Sequence, residues 1–161
     1  MSRWYLPDES ATRQIAQALA AHQPVGAVVY LEGDLGAGKS TLARAWLRAL
    51  GVTGTVRSPT YTLVERYPVP GGEALHLDLY RIGDAGELDF LGLDDIAATL
   101  WLVEWPTRGA GALPPPDLRI GLAIEGEGRS IRIEASAGRG AHWLAGIEAT
   151  LHLPTLPEPK P

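Results

Sequence analysis

Gly33-Asp34-Leu35-Gly36-Ala37-Gly38-Lys39-Ser40 is the stretch on which the reading of this 161-residue chain turns. It has the form G-x-x-x-x-G-K-[ST], which a sequence of this composition produces by chance roughly 0.003 times per scan. Before it, Ala27-Val28-Val29-Tyr30-Leu31 is a short apolar run that alternates poorly, as expected of a strand buried on both faces in a parallel sheet. After it, Ser40 to Leu50 (STLARAWLRAL) sets Leu42, Trp46, Leu47 and Leu50 on one helical face, with Gly51 at the C′ position. Strand, glycine loop and helix in this order build a cradle for phosphate. Glycines let successive N–H groups converge on oxygens with no Cβ in the way, and the helix start adds its partial positive charge. Lys39 can reach the β- and γ-phosphates of a nucleotide, and the Ser40 hydroxyl is a hard oxygen ligand suited to Mg²⁺.

Outward from the loop, Ser10 caps a helix expected to run to about Ala21, closed by Pro24 and Gly26. Downstream, Thr62 to Tyr67 and Ala74 to Tyr80 read as a hairpin around Pro68-Val69-Pro70-Gly71-Gly72. The acidic stretch from Gly83 to Ala98, with Leu88, Phe90, Leu91, Leu93 and Ile96, suits one or two short helices. Thr99 to Trp105 is a second apolar strand stopped by Pro106, and Leu118 to Ile124 with Ser130 to Ala135 form an antiparallel hairpin around Glu125-Gly126-Glu127-Gly128. A last helix covers Ala141 to Leu151. The pattern predicts an α/β fold of the P-loop NTPase class, a mainly parallel sheet flanked by helices and extended by antiparallel hairpins. Length and a 45% hydrophobic content predict one domain over residues 1–152, followed by a flexible proline-rich tail, residues 153–161.

Composition narrows the function. Cysteine is absent, which excludes disulfides, thiolate metal sites and cysteine nucleophiles. The net charge is −5, and the fourteen basic residues are scattered, so the chain lacks the footprint of a tight nucleic-acid binder. Only Lys39 and Lys160 are lysine, which makes the position of Lys39 informative. The opening MSRWYLPDES has no apolar core of a leader, and the longest apolar stretch, Val25 to Leu31, is far short of the ~20 residues needed to span a bilayer. A cytoplasmic protein without membrane contact is expected.

Magnesium needs a further acidic ligand at a neighbouring strand end. Glu104, after Leu100-Trp101-Leu102-Val103, and Asp78, after Leu75-His76-Leu77, are the two candidates. In Ser58-Pro59-Thr60-Tyr61, Thr60 can place a hydroxyl near the metal or the attacking water. The sequence has no asparagine, hence no N-K-x-D guanine reader, and adenine is favoured by exclusion. His76 reads as a core histidine among leucines, and Trp4, Trp46 and Trp101 as core; Trp105 either faces the site or a partner, or packs at a strand end. Two other classes use the same loop. In a small-molecule or nucleotide kinase, Arg129, Arg132 and Arg139 would form a lid, although they fall on a predicted hairpin and its exit, where solvated strand faces are the blander account. A nucleotide-gated binding module would share every binding residue without turnover.

Four blocks taken together, Gly33 to Thr41 (GDLGAGKST), Val56 to Glu65 (VRSPTYTLVE), His76 to Arg81 (HLDLYR) and Leu102 to Pro106 (LVEWP), closely resemble the TsaE family over about residues 7–136. That family comprises bacterial P-loop ATPases required to form threonylcarbamoyladenosine beside the tRNA anticodon. The resemblance implies that Asp34, Leu35, Gly36, Ala37, Gly38, Lys39, Ser40 and Thr41 hold ATP, and that Thr12 of the first helix lies near it. It further implies that Ser40 and Glu104 hold Mg²⁺, and that Lys39, Thr60, Asp78 and Glu104 serve catalysis. Ser40 replaces the threonine usual in relatives and offers the same oxygen without the γ-methyl. Partners implied are TsaB and TsaD homologues, with tRNA met through that assembly and the ATPase slow alone. No water-positioning glutamine follows the loop, and Arg57 and Arg81 would need ordering by partners to act as arginine fingers.

Overall fold

In the computed structural model of the chain, which describes residues 1–93 and 98–158, seven strands form one sheet in the order β1-β7-β6-β2-β5-β4-β3. The elements run β1 (Ser2–Leu6), α1 (Glu9–His22), β2 (Ala27–Glu32), α2 (Lys39–Ala49), β3 (Val64–Val69) and β4 (Gly72–Asp78). They continue with a 3₁₀ segment (Ala85–Leu91), β5 (Ala98–Glu104), a 3₁₀ turn (Pro106–Gly109), β6 (Leu118–Glu125), β7 (Gly128–Ala135) and α3 (Arg139–Thr150). β6, β2, β5 and β4 are mutually parallel and form the centre, while β1–β7, β7–β6 and β4–β3 pair antiparallel. This is the α/β architecture that the periodicities predict, with both hairpins in place.

β2 is the central strand, and all its residues but the last are buried, because the sheet is covered on both sides. Alternation assigns the faces. Ala27, Val29 and Leu31 join Ala74, Leu100, Leu102 and the apolar sides of α1, α2 and α3 in one core. Val28, Tyr30, Leu75, Leu77 and Val103 join Leu79, Ile82, Leu88 and Leu93 in a second core on the opposite face. The helical side is closed by Trp46, whose ring meets Trp143 edge-on at 5.9 Å and whose indole N–H donates to Gln23 Oε1.

Asp117, at the entrance to β6, links three elements. Its carboxylate accepts from the Val28 N–H at 2.9 Å and from Arg139 of α3 at 2.9 Å, while Arg139 also donates to the Val25 and Gly26 carbonyls. Burial pushes the Asp117 carboxyl up, but the Arg139 guanidinium and the Val28 N–H outweigh it and hold the group below the usual carboxylate range.

Four details differ from the sequence reading. β1 was not foreseen; it exists through pairing with β7, and Trp4 and Leu6 point into the core. The first helix is capped by Asp8, whose side chain accepts from the Ala11 N–H at 3.0 Å, so Ser10 lies inside the first turn. Trp4 and Trp46 are core as expected, whereas Trp101 is only half buried at the edge of the second core. Residues 154–156, expected in a free tail, instead run along β1: Tyr5 N–H donates to Pro154 C=O at 2.8 Å and Leu156 N–H to Arg3 C=O at 2.9 Å. Ile96 and Lys160 lie outside the described residues. Among the described residues no helix is long and apolar enough to cross a membrane.

Candidate functional site

The parallel strands β2, β4 and β5 all end at one edge of the sheet, where α/β folds place their ligands. Register puts Asp78 beside Glu104 and Glu104 beside Leu31, so both carboxylates stand at the level where β2 gives way to the glycine loop. Alternation aims them at the helical face, shared with Ala74, Leu100 and Leu102. A cavity of about 410 Å³ opens there. Thr12, Leu35, Gly36, Ala37, Gly38, Lys39, Ser40, Thr41, Thr60, Asp78 and Glu104 all line it. Asp34 alone among the expected residues does not; it is exposed, and its carbonyl accepts from the Ala37 N–H at 3.1 Å to close the turn.

The loop has the backbone that its composition permits. Gly36 and Gly38 have φ of 81° and 109°, a region where side chains are strained, and Gly38 opens α2 with no side-chain cap. The first N–H groups of α2 are thus left for an anion. Lys39 is 6% exposed; its ammonium donates to the Gly33 carbonyl and lies 4.3 Å from the centre of the Trp105 ring. Trp105 takes a left-handed φ of 54°, rare for an aromatic residue, and this follows from turning the chain sharply between Glu104 and Pro106. Of the alternatives open for Trp105, its side chain faces the site.

Asp78 is 7% exposed, accepts from the Tyr80 N–H at 3.0 Å and meets the Thr60 hydroxyl at a long 3.5 Å. Thr60 also bonds Ser58 Oγ at 2.7 Å. Glu104 is 3% exposed, with Oε2 bonded to His76 Nε2 at 2.6 Å. No cluster of three or more His, Asp or Glu among the described residues forms a protein cage for a metal. One carboxylate and one hydroxyl at a phosphate cradle suit Mg²⁺, which usually completes its shell with water and phosphate oxygens.

The far wall of the cavity was not found from sequence. Leu6, Pro7, Asp8 and Glu9 come from the chain entering α1, and Leu122, Glu127, Gly128 and Arg129 from the β6–β7 hairpin. Arg129 donates to the Gly36 carbonyl at 3.3 Å. The signal was the parallel neighbour relation of β6 to β2, which no local pattern displays. The three arginines of the kinase reading do not gather as a lid: Arg132 is paired with Glu134, and Arg139 with Asp117. Arg81 stacks over Tyr61 at 4.3 Å, and Arg57 is exposed.

Comparisons with known proteins converge. The family model described as "Threonylcarbamoyl adenosine biosynthesis protein TsaE" matches residues 6–131. The chain is 40% identical over 150 residues to the tRNA threonylcarbamoyladenosine biosynthesis protein TsaE of Haemophilus influenzae, covering 89% of this chain and 95% of that one. It is 36% identical over 127 residues to the TsaE of Bacillus subtilis, covering 78% and 79%. Among solved structures, the crystal structure of Bacillus subtilis YdiB superposes with a TM-score of 0.76 at 29% identity, over 92% of this chain and 97% of that one. With the family model spanning most of its length and these relatives matched over most of both chains, the chain belongs to the TsaE family of tRNA threonylcarbamoyladenosine biosynthesis proteins.

Proposed function

We propose that this chain is a Mg²⁺-dependent ATPase that supports threonylcarbamoyl modification of the adenosine beside the tRNA anticodon, acting in the cytoplasm with homologues of TsaB and TsaD. One observation carries the reading: residues from four sequence blocks, spread from Leu35 to Trp105, line a single cavity at the start of α2. The N–H groups of residues 36–41 hold the phosphates, that of Ala37 shared with the Asp34 carbonyl, and Thr12 and Thr41 flank the nucleotide. Lys39 exchanges the Gly33 carbonyl and the Trp105 ring for β- and γ-phosphate oxygens, stabilising the charge that grows as the γ-phosphoryl group leaves. Mg²⁺, held by the Ser40 hydroxyl and the free oxygen of Glu104, would neutralise the same phosphoryl oxygens. Asp78 with Thr60 orients the attacking water. Both are tied only to local groups, Tyr80 N–H and Ser58 Oγ, and their mutual contact is long. An incompletely assembled water site would make turnover slow alone and leave its completion to docking with partners.

The deciding experiment reconstitutes tRNA modification with TsaB and TsaD and compares wild type with Lys39→Ala over several turnovers. Loss of multiple turnover is expected. Unchanged turnover removes the proposal, and phosphate release by the isolated chain equal to that with both partners removes its docking clause.

A further inference from the structure

We propose that His76 is a positioning residue for Glu104: its imidazole donates from Nε2 to Glu104 Oε2 and so turns Oε1 toward the cavity. The inference rests on the proposed role of Glu104 at the metal and adds a residue to it. His76 lies on β4 two residues before Asp78, which is the register partner of Glu104 on β5, so His76 and Glu104 are diagonal neighbours on the helical face. The Nε2–Oε2 distance is 2.6 Å, and the two side chains are 2% and 4% exposed. Glu104 Oε2 has no other side-chain donor, and Oε1 accepts no hydrogen bond from the described residues although Glu104 lines the cavity.

The other imidazole nitrogen identifies the purpose. Nδ1 of His76 is fully buried without a hydrogen-bond partner, and it is the only side-chain polar atom in that condition among the described residues. An apolar side chain would fill the same space without an orphaned nitrogen, but it would strip the buried Glu104 Oε2 of its donor, so the donor is what the histidine adds. The fold tolerates an orphaned nitrogen at this position because the opposite nitrogen fixes a carboxylate. The orphan also sets the tautomer: a bare Nδ1 has no proton to leave unmatched, so the proton sits on Nε2, where it is donated. A carboxylate turned in this way presents one oxygen in a fixed direction, the arrangement by which outer residues sharpen metal affinity.

The test titrates Mg²⁺ into wild type, His76→Phe and His76→Gln, each saturated with a fluorescent, non-hydrolysable ATP analogue, and measures binding of the same analogue in EDTA. The phenylalanine variant fills the space without a donor; glutamine restores an N–H donor. His76→Phe is expected to raise the half-saturating Mg²⁺ concentration at least tenfold, to leave affinity in EDTA within about twofold, and to be largely rescued by glutamine. Equal Mg²⁺ dependence in wild type and His76→Phe overturns the proposal, as does an equal loss in EDTA, which would mark a purely structural residue. If wild type itself shows no Mg²⁺ dependence, the metal role of Glu104 falls and this inference with it. Nitrogen-15 spectra of the wild-type imidazole provide a readout that needs no variant. Protonated Nε2 with bare Nδ1 is expected, and a proton on Nδ1 overturns the assignment.

Discussion

Gly33→Ala probes the cradle where its geometry is tightest. Gly33 has a φ of 146°, and a Cβ built there stands 2.5 Å from the Leu122 carbonyl oxygen and 3.3 Å from the Ala37 Cβ. Contacts below 3.0 Å are essentially never made by real Cβ atoms, so something must move by at least about 0.5 Å. The Leu122 carbonyl belongs to β6, which is fixed by pairing with β7 on one side and β2 on the other. The loop therefore yields, taking the Gly33 carbonyl away from Lys39. Overpacking costs about 1–3 kcal/mol and the left-handed backbone about 1–2 kcal/mol. Gly36→Ala is the control: its φ of 81° is also in the left-handed region, but no atom lies within 4 Å of its Cβ. Urea unfolding without nucleotide should place Gly33→Ala about 2 kcal/mol below Gly36→Ala. Affinity of Gly33→Ala for an ATP analogue should fall at least about tenfold, since its amides no longer converge. Equal unfolding midpoints and slopes for the two variants would refute the reasoning.

Other outcomes follow from the same coordinates. Arg129→Ala removes a cavity-lining cation that touches the phosphate loop; nucleotide affinity measured by titration calorimetry should drop about tenfold while stability changes by about 0.5 kcal/mol or less. Because Lys39 sits on the Trp105 ring, nucleotide should shift tryptophan emission, and Trp105→Phe should abolish the shift, since Trp4, Trp46 and Trp143 are buried in the core and the half-buried Trp101 packs on the second core, outside the cavity lining. Asp117 has its carboxyl held low, so its contribution to stability is complete above the unfolded value near about pH 3.9 and is lost as pH falls through the lower folded value. Asp117→Asn should cost about 1.5–3 kcal/mol at pH 7 in urea unfolding. Its deficit against wild type should shrink only below about pH 4, and a deficit that vanished already at pH 6 would contradict the assignment.

What the sequence revealed and what it hid divide along the range of the interactions. The glycine loop, β2, α2 and both hairpins are written in neighbouring residues, and so their types were legible. Asp78 and Glu104 were legible as carboxylates at strand ends, and parallel register then set them side by side. β1 was hidden because five residues carry little periodicity and owe their strand to β7, more than a hundred positions later. The helix start was misplaced by two residues because Asp8 and Ser10 are both good caps; Asp8 holds the position by reaching the Ala11 N–H. The hairpin wall of the cavity, with Arg129, depends on β6 joining β2, and the tail on hydrogen bonds to β1. His76 was correctly read as buried, but its bond to Glu104 crosses strands and leaves no trace in local pattern.

The most direct measurement is a crystal structure of the chain grown with Mg²⁺ and a non-hydrolysable ATP analogue. The account predicts the triphosphate on the amides of residues 36–41, Lys39 moved from Gly33 to the β- and γ-phosphates, and the metal between Ser40 Oγ and Glu104 Oε1. A triphosphate seated elsewhere on the molecule, or a metal with neither Ser40 nor Glu104 in its shell, would contradict it.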